Sequence, residues 1–437
     1  MGGGASTQRR SSHYGSQGLP PGDLLPTDVQ RSLSVAIDSV SATIATSPNQ
    51  LASDDVMGRI IQSLQQTRTG LDKEPTQAVG VEFLVTMDPG QDLDDEMLLV
   101  LLAALTKRGL LTCRGVVTCL APAEMRARLA AGTLRSLGLS TVPTAAGTDG
   151  GGAGDDASIE QMKRVDYLTR ASSIVGGLND RAGFSLMRKA LQAAPDRGIV
   201  LVVVSSLKDA AELLREEEDL FKRKVREVVI QGGVQSFEPG VAADGVMLVP
   251  DSAHNNEFDS ASSAFIYRRC QELGVPLLVI SRYAAYGAPV PRGIYDEMAA
   301  GGGRIGKHLQ TVQCGSIERL WQRACAPDGS AERAGLPSRC DKAWFVETFC
   351  GGDGSEREGS DSIWDCVKTF NMYDPLALVA VVPSLAQRFF NYDEFIVNGT
   401  SHRVIGVSKE RPGIKAGCGL QEWLCAAFKE GAQMELS

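Results

Sequence analysis

Five carboxylates fall within nine residues in the run Asp88-Pro89-Gly90-Gln91-Asp92-Leu93-Asp94-Asp95-Glu96, directly after an apolar segment. Carboxylates at this density repel one another, and a hard cation with oxygen ligands is the usual way to hold them together. Calcium or magnesium chemistry is therefore the expectation for this loop. Part of the run has a simpler account. Asp92 can cap the helix that follows, and Asp94, Asp95 and Glu96 suit the positive end of its dipole. Asp88 precedes a Pro-Gly turn and gains nothing from that helix, so capping leaves it unexplained. Elsewhere, Arg282, Tyr283 and Tyr286 follow an apolar run and could line a pocket, or belong to the core.

The elements that would position these groups alternate along the chain. Strand candidates are Val81–Thr86, Gly115–Cys119, Val142–Ala145, Ile199–Ser205, Val225–Ile230 and Val275–Ser281. Helix candidates lie between them: Leu93–Lys107, an amphipathic stretch, then Ala123–Leu137, Lys208–Phe221 and Asp259–Leu273. Apolar strands separated by helices imply a mostly parallel sheet covered on both faces. An open, doubly wound α/β sheet places its ligand crevice at the carboxyl ends of the strands, where the acidic loop begins. The segment Cys340–Phe345 reads as aromatic packing under a Gly-rich insertion, and a helix from Gln421 to Glu430 closes the chain.

Composition narrows the function classes. The 437 residues carry 44 basic and 53 acidic side chains, a formal charge of −9. That balance opposes nucleic-acid binding, which requires a basic surface for the phosphates. No apolar run approaches the ~20 residues of a membrane-spanning helix. Ten cysteines without a Cys-x-x-Cys pair, and four scattered histidines, give no zinc pattern and fit reduced thiols in a cytosolic protein.

The acidic loop resembles that of the inosine–uridine-preferring nucleoside hydrolase family, with Asp88-Pro89-Gly90 and the Asp94-Asp95 pair in order. Three later motifs extend the likeness to about residue 407: Gln231-Gly232-Gly233, Asn255-Asn256-Glu257-Phe258-Asp259 and Asn371-Met372-Tyr373-Asp374-Pro375-Leu376-Ala377. The resemblance implies a nucleoside hydrolase-like α/β domain over 79–437 and calcium-dependent hydrolysis of a nucleoside or related riboside. Asp88, Asp95 and Asp374 would hold the calcium, together with the main-chain carbonyl of Lys208. Asp88 would also take the proton of the attacking water, while Asp94 and Asn255 would bind ribose hydroxyls. A homo-oligomer is compatible with the likeness.

Departures from the family pattern remove one supporting carboxylate and change the recognition positions. Thr86 replaces the first loop Asp, Cys119-Leu120-Ala121-Pro122 replaces an Asn, and Ala253 replaces a Glu near the ribose 5′ end, for which Asp251 is the nearest substitute. Tyr373 stands where the family places its leaving-group His, and a phenol is a weaker acid than imidazolium. His254, beside the ribose Asn, is a further substrate-binding candidate, although a loop His is more often solvated. These changes sustain a second reading, a non-catalytic sugar- or nucleoside-binding protein. A third, an aspartyl phosphatase, fits less well because its Asp-x-Asp-Gly-Thr is absent.

The first 78 residues differ in texture. Residues 1–26 are rich in Gly, Ser, Pro and Arg and are expected to be disordered, and 27–78 form a helical extension with two amphipathic stretches. Met1-Gly2-Gly3-Gly4-Ala5-Ser6 fits the N-myristoylation pattern, which would give a cytoplasmic protein a lipid contact with membranes through Gly2. An organelle-targeting segment is the alternative.

Overall fold

The computed structural model describes residues 80–435 except 91–92, 153–155, 180, 236–246, 335, 337 and 339. The expectations for residues 1–26, for 27–78, for Gly2 and for Asp92 lie outside the described residues.

Ten strands are described: β1 Val81–Met87, β2 Leu111–Thr118, β3 Thr144–Ala146, β4 Ile199–Val203, β5 Val225–Gln231, β6 Leu277–Ile280, β7 Val290–Pro291, β8 Thr369–Phe370, β9 Asp393–Val397 and β10 Thr400–Ile405. Eight of them form one sheet in the order β3-β2-β1-β4-β5-β6-β10-β9. Every pairing is parallel except the β9–β10 hairpin at the edge. The mostly parallel, doubly wound sheet is thus present, although β2 begins four residues before the expected Gly115. β3 starts two residues late because Pro143 has no N–H to donate and contributes only its carbonyl, to the Val116 N–H at 2.9 Å.

Alternation along the strands feeds two cores. Phe83, Val85, Met87, Val200 and Val202 enter one, while Leu84, Leu201 and Val203 enter the other. The helix Asp94–Lys107 corrects an expectation. It is buried on every side, with Met97 through Leu105 fully inaccessible, and so is not amphipathic. Its outer side is covered by the closing helix Leu420–Ala432, whose Gly431 comes so close to the Val100 carbonyl that a Cβ there would overlap it. The expected helix Lys208–Phe221 is two helices, Lys208–Glu216 and Glu218–Lys224, broken at Glu217 (φ −128°, ψ 43°). Phe345 packs its ring against Trp321 at 5.1 Å between centroids, the aromatic packing foreseen for that segment.

Among the described residues no helix is long and apolar enough to cross a membrane.

Candidate functional site

Chain order reverses between β1 and β4, and a cavity of about 480 Å³ opens at their carboxyl ends. This is where a doubly wound sheet leaves a crevice between loops that diverge in opposite directions. Asp88 follows the last residue of β1, and Asp94 and Asp95 start the buried helix. Asp374 lies in the first turn of the helix Tyr373–Val381, which delivers it from the far end of the sequence to the same place. One oxygen each from Asp94, Asp95 and Asp374 lie within 4.8 Å of one another.

That spacing fits one hard cation, since ligand oxygens about 2.4 Å from calcium can be no more than ~4.8 Å apart. The electrostatics agree. Burial, and then the charges of Asp88, Asp94 and Glu96, push the Asp95 carboxyl well above the usual carboxylate range, against the Asp88 N–H that it accepts at 2.9 Å. Burial likewise raises Glu96 to about 8, opposed by the N–H groups of Gly90 and of Glu96 itself and by Arg126. All the side-chain donors in the trio are oxygens, and two of the three residues are buried.

Sequence reasoning missed Arg126. It is fully buried and donates from Nη1 to the Asp88 carbonyl at 2.7 Å and to the Pro89 carbonyl at 2.9 Å, and from Nε to the Leu120 carbonyl at 3.2 Å. A charged group this deep is tolerated only when well bonded, and here it pins the acidic loop to the loop after β2. The signal was an arginine on the apolar stripe of Ala123–Ser136, in register with Leu129, Ala130 and Thr133.

The opposite wall is built after β5. Asn255 is fixed by its amide nitrogen, which donates to the Val204 carbonyl at 3.0 Å and to Gln231 Oε1 at 2.6 Å. His254 lines the cavity, exposed, with its ring 4.4 Å from that of Phe258. Gln231 and Glu257 also line it, and neither was singled out as a site residue. Asp251 is not among the lining residues. Its Oδ1 accepts the Ala253 N–H at 2.8 Å and its Oδ2 pairs with Arg282 at 3.3 Å, so it braces the loop. Lys208 stands outside the lining as well. It opens a helix and its ammonium pairs with Asp149 at 2.6 Å, while Val204 lines the cavity on this side.

The mouth is aromatic. Tyr373 lies edge-on to Tyr286 with centroids 6.2 Å apart, and Tyr286 in turn to Tyr283 at 6.4 Å. Burial first, then the neighbouring Tyr286, drive the Tyr373 phenol well above its ordinary value. A phenol so placed keeps its proton at neutral pH, and the burial that disfavours the phenolate also makes it a weaker acid. Of the three residues after β6, Arg282 and Tyr286 line the cavity and Tyr283 does not.

No family model and no curated protein matches the chain. Among solved structures it is similar to type III effector protein XopQ complexed with adenosine diphosphate ribose, at 27% identity and a TM-score of 0.65, over 82% of this chain and 95% of that one. Effector protein XOO4466 is similar at 28% identity and 0.63, with the same coverage. The plant nucleoside hydrolase PpNRh1 aligns over 80% of this chain and 98% of its own, at 14% identity and 0.48. The chain shares the mostly parallel, doubly wound α/β fold of the XopQ and XOO4466 structures.

Proposed function

We propose that the cleft binds a riboside and, with a calcium ion, hydrolyses its N-glycosidic bond. The observation that carries this reading is the convergence of Asp94, Asp95 and Asp374 at the carboxyl ends of β1 and its neighbours. Asp95 and Asp374 would hold the cation, with Asp94 in reach of both the cation and the sugar. When bound, calcium would acidify a water and neutralise the crowded carboxylates. Asp88, on the cleft wall beside the trio, would take the proton of the attacking water. The fixed Asn255 would orient ribose hydroxyls, and Tyr373 would protonate the departing group near Tyr286 and Arg282. The Lys208 carbonyl would complete the calcium ligands, and Asp251 and His254 remain candidates at the edge of the site. The test is calcium calorimetry with a panel of purine and pyrimidine nucleosides assayed for base release. Calcium binding with release of base from at least one riboside is expected.

A second reading is that of a binding protein for an adenosine diphosphate ribose-like ligand. It is favoured by the likeness to XopQ, whose structure holds that molecule, and by the phenol at position 373. Saturable binding of adenosine diphosphate ribose without turnover of any riboside would decide for it.

A further inference from the structure

A second cavity, of about 660 Å³, opens at the opposite end of the sheet, where β5 begins and β6 is entered through Pro276. Arg197, Arg226, Arg403 and Lys415 line it, against one carboxylate, Glu227. Glu227 is already neutralised: it pairs with Arg403 at 2.5 Å, and the Arg403 guanidinium lies 4.8 Å from the Tyr392 ring centroid. Lys415 donates to the Gln387 carbonyl, a neutral acceptor, and pairs with no carboxylate among the described residues. Arg197 and Arg226 have no carboxylate partner among the described residues, although Arg226 is half-buried. Arg197 holds a left-handed backbone (φ 54°), a conformation unfavourable for a residue with a Cβ.

Two ordinary explanations fall short. Helix carboxyl ends favour cations, and Ala380 and Gln387 at such ends do line the cavity, but the effect per charge is small. Solvation serves exposed Arg197 well and half-buried Arg226 poorly. An anion with several oxygens would satisfy the remaining donors, because guanidinium groups match phosphate oxygens in pairs. The volume lies within the range of small-molecule sites.

We propose that this cavity binds a phosphate-bearing small molecule through Arg226, Arg197 and Lys415, with Arg403 held in place by Glu227 and Tyr392. It is distinct from the cleft. From Arg226 to Gln231, β5 spans five residues, roughly 16 Å, too far for one phosphate to serve both ends.

The test is calorimetric titration of the full chain with pyrophosphate, in chelator and at low ionic strength, so that no calcium in the cleft can capture the anion. One saturable site is expected. Arg226→Gln should raise its Kd about tenfold, and Arg226→Gln with Lys415→Gln further. Lys415→Gln alone, on a more accessible side chain, should still weaken binding about threefold if the arginine variants fold poorly by circular dichroism. Asp95→Ala should leave binding unchanged. The proposal is overturned by absence of saturable binding, by equal affinity in the folded variants, by loss of binding in Asp95→Ala, or by a poly-glutamate peptide that binds the same residues more tightly than pyrophosphate.

Discussion

At the carboxyl ends of the strands Asp88, Asp94, Asp95 and Asp374 crowd together, whereas at the amino ends Arg197, Arg226, Arg403 and Lys415 surround one paired carboxylate. The helix Tyr373–Val381 touches both regions, with Asp374 in its first turn at the cleft and Val381 at its last residue in the cavity. Helices that return antiparallel to a parallel sheet point their positive ends at the strands' carboxyl side and their negative ends at the other. The acidic end therefore sits where backbone dipoles favour anions, and the basic end where they favour cations. Dipoles alone do not account for either cluster. Each region gathers like charge from several elements, which suits the acidic end to a cation and the basic end to an anion. The buried carboxylates concentrate on one cation, whereas the arginines, spread over several elements, suit a larger anion.

The comparison breaks most sharply at Asp95. Asp95→Ala should abolish measurable calcium binding and lower riboside hydrolysis by about 1,000-fold or more, with pyrophosphate binding retained. Without metal the variant should be as stable as the parent within about 1 kcal/mol, since relief of repulsion offsets the bond lost from the Asp88 N–H. Calorimetry and thermal unfolding measure both. Unchanged calcium affinity would remove the cation from the cleft.

The two ends were unequally legible in the sequence. The acidic end was readable because its chemistry is local: Asp88, Asp94 and Asp95 lie within eight residues after a clear strand, and Asp374 sits in a recognisable motif. The basic end is assembled from residues scattered between 197 and 415, with nothing in their spacing to link them. Its edge rests on the β9–β10 hairpin, which periodicity alone passed over. Asn398 (φ 49°) and Gly399 (φ 75°) form the Asn-Gly turn that signals such a hairpin, so that signal was present. Even in the cleft, spacing could not tell that Asp251 would be spent on Arg282 and Ala253, because the loop that bends it away is set by tertiary contacts. The helix Asp94–Lys107 is apolar without interruption from Met97 to Leu105, so its periodicity offers no solvent face, and the closing helix that covers its outer side lies more than three hundred residues later.

A smaller effect would sharpen the reading of the cleft. Tyr373→Phe should slow ordinary nucleosides about 100-fold and leave aryl ribosides with activated leaving groups nearly unaffected, because general-acid assistance matters only for a basic departing nitrogen. Since burial and Tyr286 hold the phenol's proton far above neutrality, no alkaline fall in rate below about pH 9 should trace to Tyr373. Steady-state rates on both substrate types check this. Equal slowing would make Tyr373 a positioning residue for the sugar.

The smallest effect separates the two ends by pH. On β10 His402 is fully buried beside Arg403, its Nδ1 accepts the Leu277 N–H at 3.1 Å, and burial lowers its pKa from 6.5 to about 4. Between those values the unfolded chain binds a proton that the folded protein refuses. The stability contributed by neutral His402 is therefore complete above about pH 6.5 and is lost as pH falls toward 4. The cleft has the opposite sign, because carboxyls with raised pKa values take up protons in the folded state and relieve their repulsion on acidification. His402→Gln should flatten the fall in stability between pH 6.5 and 4 by roughly 2 kcal/mol, measured by urea unfolding at stepped pH. His308, lowered to about 4 by its own burial, keeps the same sign and should leave a residual slope in the variant. If the slope in His402→Gln equalled that of the parent, the acid sensitivity would have to lie elsewhere, and the two ends of the sheet would not be distinguished by protons.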